Sequence, residues 1–348
     1  MSEKKERIVL DVAYQPQVRT NTDTRRIMLD VIIALIPAVL VAVLRFGISP
    51  LLVIASSVAS CVFFEWGYRK LMKKSCSIGD LSAVVTGLLL ALVLPVDAPV
   101  WMPVIGAFFA IVVVKQLYGG IGKNFLNPAM AGRAFLLASY AIHMSGSWAV
   151  PKNLAGAVDG VTMATPLSYM YSGAAMPEYY SYANLLLGSR AGCIGELSTL
   201  ALLIGGIYLI ARKVISWRIP VSTLGTVALL TVVFGHEGYG NVDWMVYNLL
   251  AGGLMLGAIF MATDYATSPV TLNGQLLYGF GVGAITVLIR YFGGFPEGIT
   301  YAILIMNLCA WAIDKAFRRP QFGVTKEDLA AEKAARKAAK KAEKEAAV

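Results

Sequence analysis

Apolar residues in this chain are gathered into long runs. Ten of them reach or approach the ~20 residues a helix needs to cross a bilayer. They lie near 27–46, 50–69, 80–95, 100–117, 128–145, 196–212, 219–235, 244–262, 272–291 and 298–316. The pattern predicts an all-α polytopic membrane protein with about ten transmembrane helices. The third run is short and ends at Pro95, and the eighth holds Gly252, Gly253 and Gly257 before reaching Thr263 and Asp264. Both are expected to be broken helices that do not fully span.

Composition supports this class. Of 348 residues 57% are hydrophobic and 15% charged, and the mean hydropathy is +0.65. A soluble domain carries about 25% charged residues. The first 26 residues are polar and charged, so no signal peptide is expected. The net charge of +9 does not argue for nucleic acid, because the basic residues cluster at helix ends and tails.

That clustering orients the chain. With the N-terminus inside, inner segments hold 26 of the 30 Lys and Arg residues. The outer side keeps Arg45, Lys152, Arg190 and Arg290. The positive-inside rule then places both termini in the cytoplasm and the longest loop, 146–195, on the outer face. The expected organisation is a cytoplasmic segment 1–26, a membrane domain 27–316 and a basic cytoplasmic tail 317–348. The tail, rich in Ala, Lys and Glu, reads as a solvated helix or an arm without fixed structure.

A weak internal repeat is visible. Thr86-Gly87-Leu88-Leu89-Leu90 resembles Gly252-Gly253-Leu254-Met255-Leu256, and the same offset of 166 residues pairs Pro103 with Pro269. Five helices per half is an odd number, so two inverted five-helix halves are expected.

Candidate chemistry is concentrated in three stretches. In the long loop, Asp159-Gly160-Val161-Thr162-Met163-Ala164-Thr165 reads D-x-x-T-x-A-T and is followed by Pro166. Taken alone it describes a turn, since Asp-Gly favours turns and a residue before Pro is extended. It also resembles the recognition sequence of the bacterial flavin transferase, which joins the phosphate of FMN to the last Thr hydroxyl. On the inner side lies Gly119-Gly120-Ile121-Gly122-Lys123-Asn124-Phe125-Leu126-Asn127-Pro128-Ala129-Met130. The third stretch, Met261-Ala262-Thr263-Asp264 with Thr267-Ser268-Pro269, is also inner. Asn-Pro is a sound helix start. An Asp at a membrane-helix end either caps, faces water or meets a partner. Asp80, Asp97 and Asp264 are the candidates for ion movement, with helix caps as the competing role.

Other features are plainer. Cys61, Cys76, Cys193 and Cys309 are scattered without a C-x-x-C pair, so neither a metal site nor a four-cysteine iron–sulfur cluster is expected within the chain. His143 and His236 are expected as interfacial side chains. Gly119-Gly120-Ile121-Gly122 ends a membrane helix and does not follow a strand, which argues against a nucleotide fold.

These three stretches together carry a resemblance covering about residues 11–320. The chain resembles the RnfD family of the Rnf ion-translocating electron transport complex, relatives of the NqrB component of the sodium-pumping NADH:quinone oxidoreductase. The family often has Phe before the Asn-Pro; here it is Leu126. The quinone-reducing relative has a longer N-terminal region, whereas the first apolar run here starts near residue 27, which favours Rnf. The resemblance implies a multi-pass subunit in the bacterial inner membrane, with covalent FMN on Thr165 facing outward. It implies electron flow between ferredoxin and NAD partners coupled to Na⁺ or H⁺ transport. Asp159, Thr162 and Ala164 would serve recognition by the flavin transferase. A second, noncovalent flavin, riboflavin, would bind near Asn127 and Asp264. The implied partners are the other Rnf subunits, one bearing a second FMN. A flavin-free channel or transporter remains an alternative reading of the apolar pattern, and the quinone-reductase component an alternative reading of the motifs.

Overall fold

The computed structural model describes residues 23–145, 148–151, 163–172, 176–236, 238–294 and 297–317. Every expected apolar run contains helix. The principal helices are α1 (Thr24–Phe46), α2 (Ser49–Leu71), α3 (Ser82–Leu92), α4 (Trp101–Phe108, continuing as a π-helical turn Phe109–Gln116) and α5 (Pro128–Ser139). They continue as α6 (Thr199–Ala211), α7 (Arg218–Phe234), α8 (Asn241–Leu250), α9 (Leu254–Leu256, continuing as a π-helical turn Gly257–Met261), α10 (Leu272–Phe292) and α11 (Ile299–Ala316). No strand occurs among the described residues.

Helix starts follow local chemistry. The Asp23 carboxylate accepts from Thr24 N at 2.8 Å, supplying a partner for one of the first N–H groups of α1. Asn127 does the same for α5, accepting from Ala129 N and Met130 N, with Pro128 at the first helical position.

The outward faces identify the solvent as lipid. On α1, Leu29, Ile33, Ile36, Leu40 and Leu44 are exposed, while Ala34, Leu35, Ala38 and Ala42 are buried. Exposing large aliphatic residues along one whole stripe is unfavourable in water and neutral in hydrocarbon. The chain is therefore a multi-pass helical membrane protein.

By length and composition alone, fewer than ten crossings stand out among the described residues. Four helices, α1, α2, α10 and α11, are long and apolar enough to span, and α8 with α9 makes a fifth if the bent pair counts as one. The pair bends by 64°. The expected break of the eighth run is thus present, at Ala251–Gly253. The third run is an 11-residue helix, α3, with ten residues buried. Its carbonyl at Gly87 accepts from the Ser57 hydroxyl of α2 at 2.7 Å. A Cβ on Gly87 would lie 2.7 Å from Val58 Cα, so glycine permits this close approach. Short helices wrapped by other helices need not span, because their polar ends meet protein instead of lipid.

Helices early and late in the chain pack in similar ways. α2 packs on α3 and α4, and α7 packs on α8 and α10; α1 meets α6, and α5 meets α11, across the centre. Between α5 and α6 the described residues include the short helices Pro166–Tyr171 and Tyr182–Leu187. The last part of this stretch is not a surface loop. Residues 189–199 are buried, and Ile194 N donates to Leu94 O at 3.0 Å.

Candidate functional site

Thr165 is the N-cap of the six-residue helix Pro166–Tyr171. Its backbone is extended, as expected before Pro166, and its Oγ1 accepts from Ser168 N at 3.2 Å. The side chain is half-buried. Two bonds fix the segment before it. Tyr180 donates its hydroxyl to Ala164 O at 2.7 Å, and Met163 N donates to Trp148 O at 3.1 Å. Burial raises the Tyr180 hydroxyl well above its ordinary pKa, so it remains a donor at any physiological pH. Asp159 and Thr162 lie outside the described residues.

The short helix is anchored to the membrane bundle. Leu167 and Met170 pack with Trp244 and Ala251, and Tyr171 donates to Asn248 Oδ1 at 3.1 Å. Asn248 also accepts from Arg290 Nη1, through Oδ1 at 3.0 Å and through its carbonyl at 2.7 Å. The segment carrying Thr165 is thereby tied to the point where α8 breaks.

That break is held by arginines that a charge count along the sequence treats only as topology markers. The end of α8 leaves carbonyls without helical partners. Arg290 takes that of Asn248, and Arg190 takes that of Leu250 together with that of Glu196. Arg133, from α5, pairs with Glu297 and lies 3.9 Å from Glu196. Cys193, Glu196 and Glu297 bring a thiol and two carboxylates within 4.8 Å of one another. Arg133 bonds two of the three and lies beside the third, so the cluster reads as an ion-pair network. An isolated charged residue inside an apolar run was the available signal for Arg133 and Arg290.

A second site lies toward the opposite ends of the helices. A cavity open to the surface is lined by Asn124, Asn127, Thr263 and Asp264. The structure thus brings the polar stretches around Asn127 and Asp264 to one place. Apolar walls come from Met28, Val31, Val85, Leu89, Leu209 and Phe260. The Asn127 amide is already committed: it caps α5 and donates from Nδ2 to Met261 O at 3.0 Å, clamping the two stretches together. Its role is positional. Asp264 accepts from Thr267 Oγ1 at 3.1 Å and lines the cavity. Lys115, which no motif marks in the sequence, lines the same cavity. It is held by Glu65 Oε2 at 2.7 Å and Ser82 Oγ at 2.6 Å.

Two other carboxylate candidates have structural or surface positions. Asp80 accepts from the N–H and hydroxyl of Ser82, a turn-closing role, and Asp97 is exposed. Among the described residues, Glu65 and Glu196 are the buried carboxylates. His236 stacks on Trp244 at 4.4 Å, an aromatic setting consistent with an interfacial ring.

Comparison with known proteins gives concordant matches. The profile of the NQR2, RnfD, RnfE family matches residues 11–323. The D-type subunit of the Na(+)-translocating ferredoxin:NAD(+) oxidoreductase complex of Acetobacterium woodii is 47% identical over 319 residues, covering 91% of this chain and 96% of that protein. Its counterpart in the proton-translocating ferredoxin:NAD(+) oxidoreductase complex of Clostridium ljungdahlii is 42% identical over 327 residues, covering 91% and 97%. The counterpart in the ion-translocating oxidoreductase complex of Vibrio cholerae is 34% identical over 337 residues, covering 87% and 96%. With matches running through nearly the whole helical bundle and both candidate sites, the chain belongs to the NQR2, RnfD, RnfE family.

Proposed function

We propose that this protein is the membrane subunit of an ion-translocating electron-transport complex working between ferredoxin and NAD, and that it carries electrons through FMN esterified to Thr165. Family membership supports the complex and the redox role. The flavin rests on one observation. The last Thr of a D-x-x-T-x-A-T sequence stands half-buried at the start of the helix Pro166–Tyr171, with its neighbours pinned by hydrogen bonds. When bound, FMN supplies the redox chemistry, and the protein supplies placement. Esterification needs a hydroxyl, which Thr165 offers, and keeps a soluble cofactor from being lost outside the membrane. The protein would be modified there by a flavin transferase, with Asp159, Thr162 and Ala164 forming the recognition segment. Its partners are the other subunits of the complex, one of them bearing a second FMN.

We further infer ten membrane passes in two inverted halves, in a bacterial inner membrane, with both termini cytoplasmic and the Thr165 loop outside. The matching packing of the two halves and the basic bias of the inner segments support this arrangement. One outer flavin is poorly placed to serve cytoplasmic electron partners across about 30 Å of hydrocarbon. A noncovalent flavin, riboflavin, in the cavity beside Asn127 and Asp264 would shorten that path. The cavity's apolar walls and its charged and amide side chains suit an amphipathic ring system.

The test is the mass of the intact chain after denaturation. One added FMN, less water, is expected. An unmodified mass in cells that contain the transferase would overturn the flavin assignment and favour a flavin-free transporter.

A further inference from the structure

Lys115 sits in the π-helical turn that ends α4, a kind of helix irregularity often found at functional sites. It is 3% exposed to the outside, yet its side chain lines the inner cavity. Nothing about its position is a surface effect. Glu65 comes from the middle of α2's inner half and Ser82 from the start of α3, so three helices converge on one ammonium group. Ser77 donates to Glu65 as well. Asp264, whose carboxylate accepts from Thr267, lines the same cavity. Placing an ion pair here carries a desolvation cost that apolar residues of similar volume would avoid. Charges in such low-dielectric surroundings act strongly on whatever shares the cavity.

We propose that Lys115 is the electrostatic element of this cavity: its positive charge, set by Glu65 and Ser82, favours reduction of a flavin held there. This presupposes the flavin assignment of the cavity made above. An electron delivered by the complex adds one negative charge to the occupant. Lys115 keeps its proton, and no covalent bond forms or breaks. The nearby ammonium stabilises the added charge, and the Glu65 carboxylate moderates that effect. Lys115 is a tuning and positioning residue whose influence has a sign that packing alone does not have.

The experiment uses the full chain carrying Thr165→Ala, purified in detergent, so that covalent FMN does not obscure the signal. Extractable riboflavin is measured first, and then the midpoint potential of the bound flavin by spectroelectrochemistry. Lys115→Gln is expected to disfavour reduction by at least tenfold, a downward shift of about 59 mV for one electron. Glu65→Gln is expected to move the potential upward, and Lys115→Arg to leave it near the parent value. Opposite signs for the two Gln variants support the proposal. Flavin retained at the parental potential in both overturns it. Should the Gln variants fail to fold, Ser82→Ala decides the matter. It keeps both charges and removes one acceptor from Lys115, so an upward shift supports the role and an unmoved potential overturns it. No extractable flavin in the folded Thr165→Ala parent defeats the assignment of the cavity, and the role of Lys115 falls with it.

Discussion

Thr165 Oγ1 has two duties in the proposed holo-protein, as the cap acceptor for Ser168 N and as the ester oxygen. The two can be separated. Thr165→Ala removes both, at a local cost of about 1 kcal/mol for the cap. Thr165→Asn keeps a good cap but offers no hydroxyl. Both variants are expected to lose the fluorescent flavin band on denaturing gels, with Thr165→Asn retaining the parental melting temperature. A covalent band in Thr165→Asn would place the attachment elsewhere. Tyr180→Phe deletes the donor to Ala164 O, a loss of about 1 kcal/mol. It is expected to lower the flavinylated fraction, measured as the ratio of the two intact masses, without abolishing it. Thr162→Ala is expected to do the same by weakening recognition.

At the scale of elements, the broken α8–α9 unit is the least self-sufficient part of the fold. Its exposed carbonyls inside the bundle are satisfied by Arg190 and Arg290, and Gly252 turns the chain with φ of +71°. Arg290→Met leaves the Asn248 and Glu297 carbonyls without this donor, which should cost about 2–5 kcal/mol. A marked fall in the thermal melting point in detergent is the expected outcome, together with lower flavinylation, because Asn248 also anchors Tyr171. An unchanged melting point would show that the break is capped by other means. Gly252→Ala isolates the turn. A Cβ there would meet Arg290 and Leu167 only at 3.4 Å, an ordinary contact, so its cost should be the left-handed strain alone, about 1–2 kcal/mol. The smaller effect of Gly252→Ala than of Arg290→Met tests whether arginine capping or backbone geometry dominates the break.

For the whole molecule, burial sharpens the charge asymmetry. Lys115, Arg133, Arg190 and Arg290 are inside the protein and bear on packing more than on topology. Removing the first two from the inner count of 26 and the last two from the outer count of four leaves 24 against 2. In a cysteine-free background, single cysteines at positions 152 and 340 should therefore label differently with an impermeant reagent on intact cells whose outer envelope has been opened. Position 152 is expected to react and position 340 to be protected. The reverse pattern would invert the topology.

Apolar runs, basic bias and the D-x-x-T-x-A-T stretch were legible in the sequence alone. Each depends on local chemistry: the lipid solvent selects apolar runs, and the proposed modification would depend on a short peptide. The sequence also placed Asn127 and Asp264 among the polar interruptions, and both line the same cavity. What it left open was decided by contacts between distant segments. The helices that are too short to span are short because neighbours cover their ends. Residues 189–199 are buried because they lie against the end of α3. Glu65 and Lys115 are 50 residues apart and pair only when α2 meets the turn that ends α4. Arg133, Glu196 and Glu297 come from three separate stretches and form one network only in the folded chain. A charged residue in an apolar run announces that a partner exists, since an unpaired buried charge is too costly to keep. Which partner it has is a property of the tertiary fold.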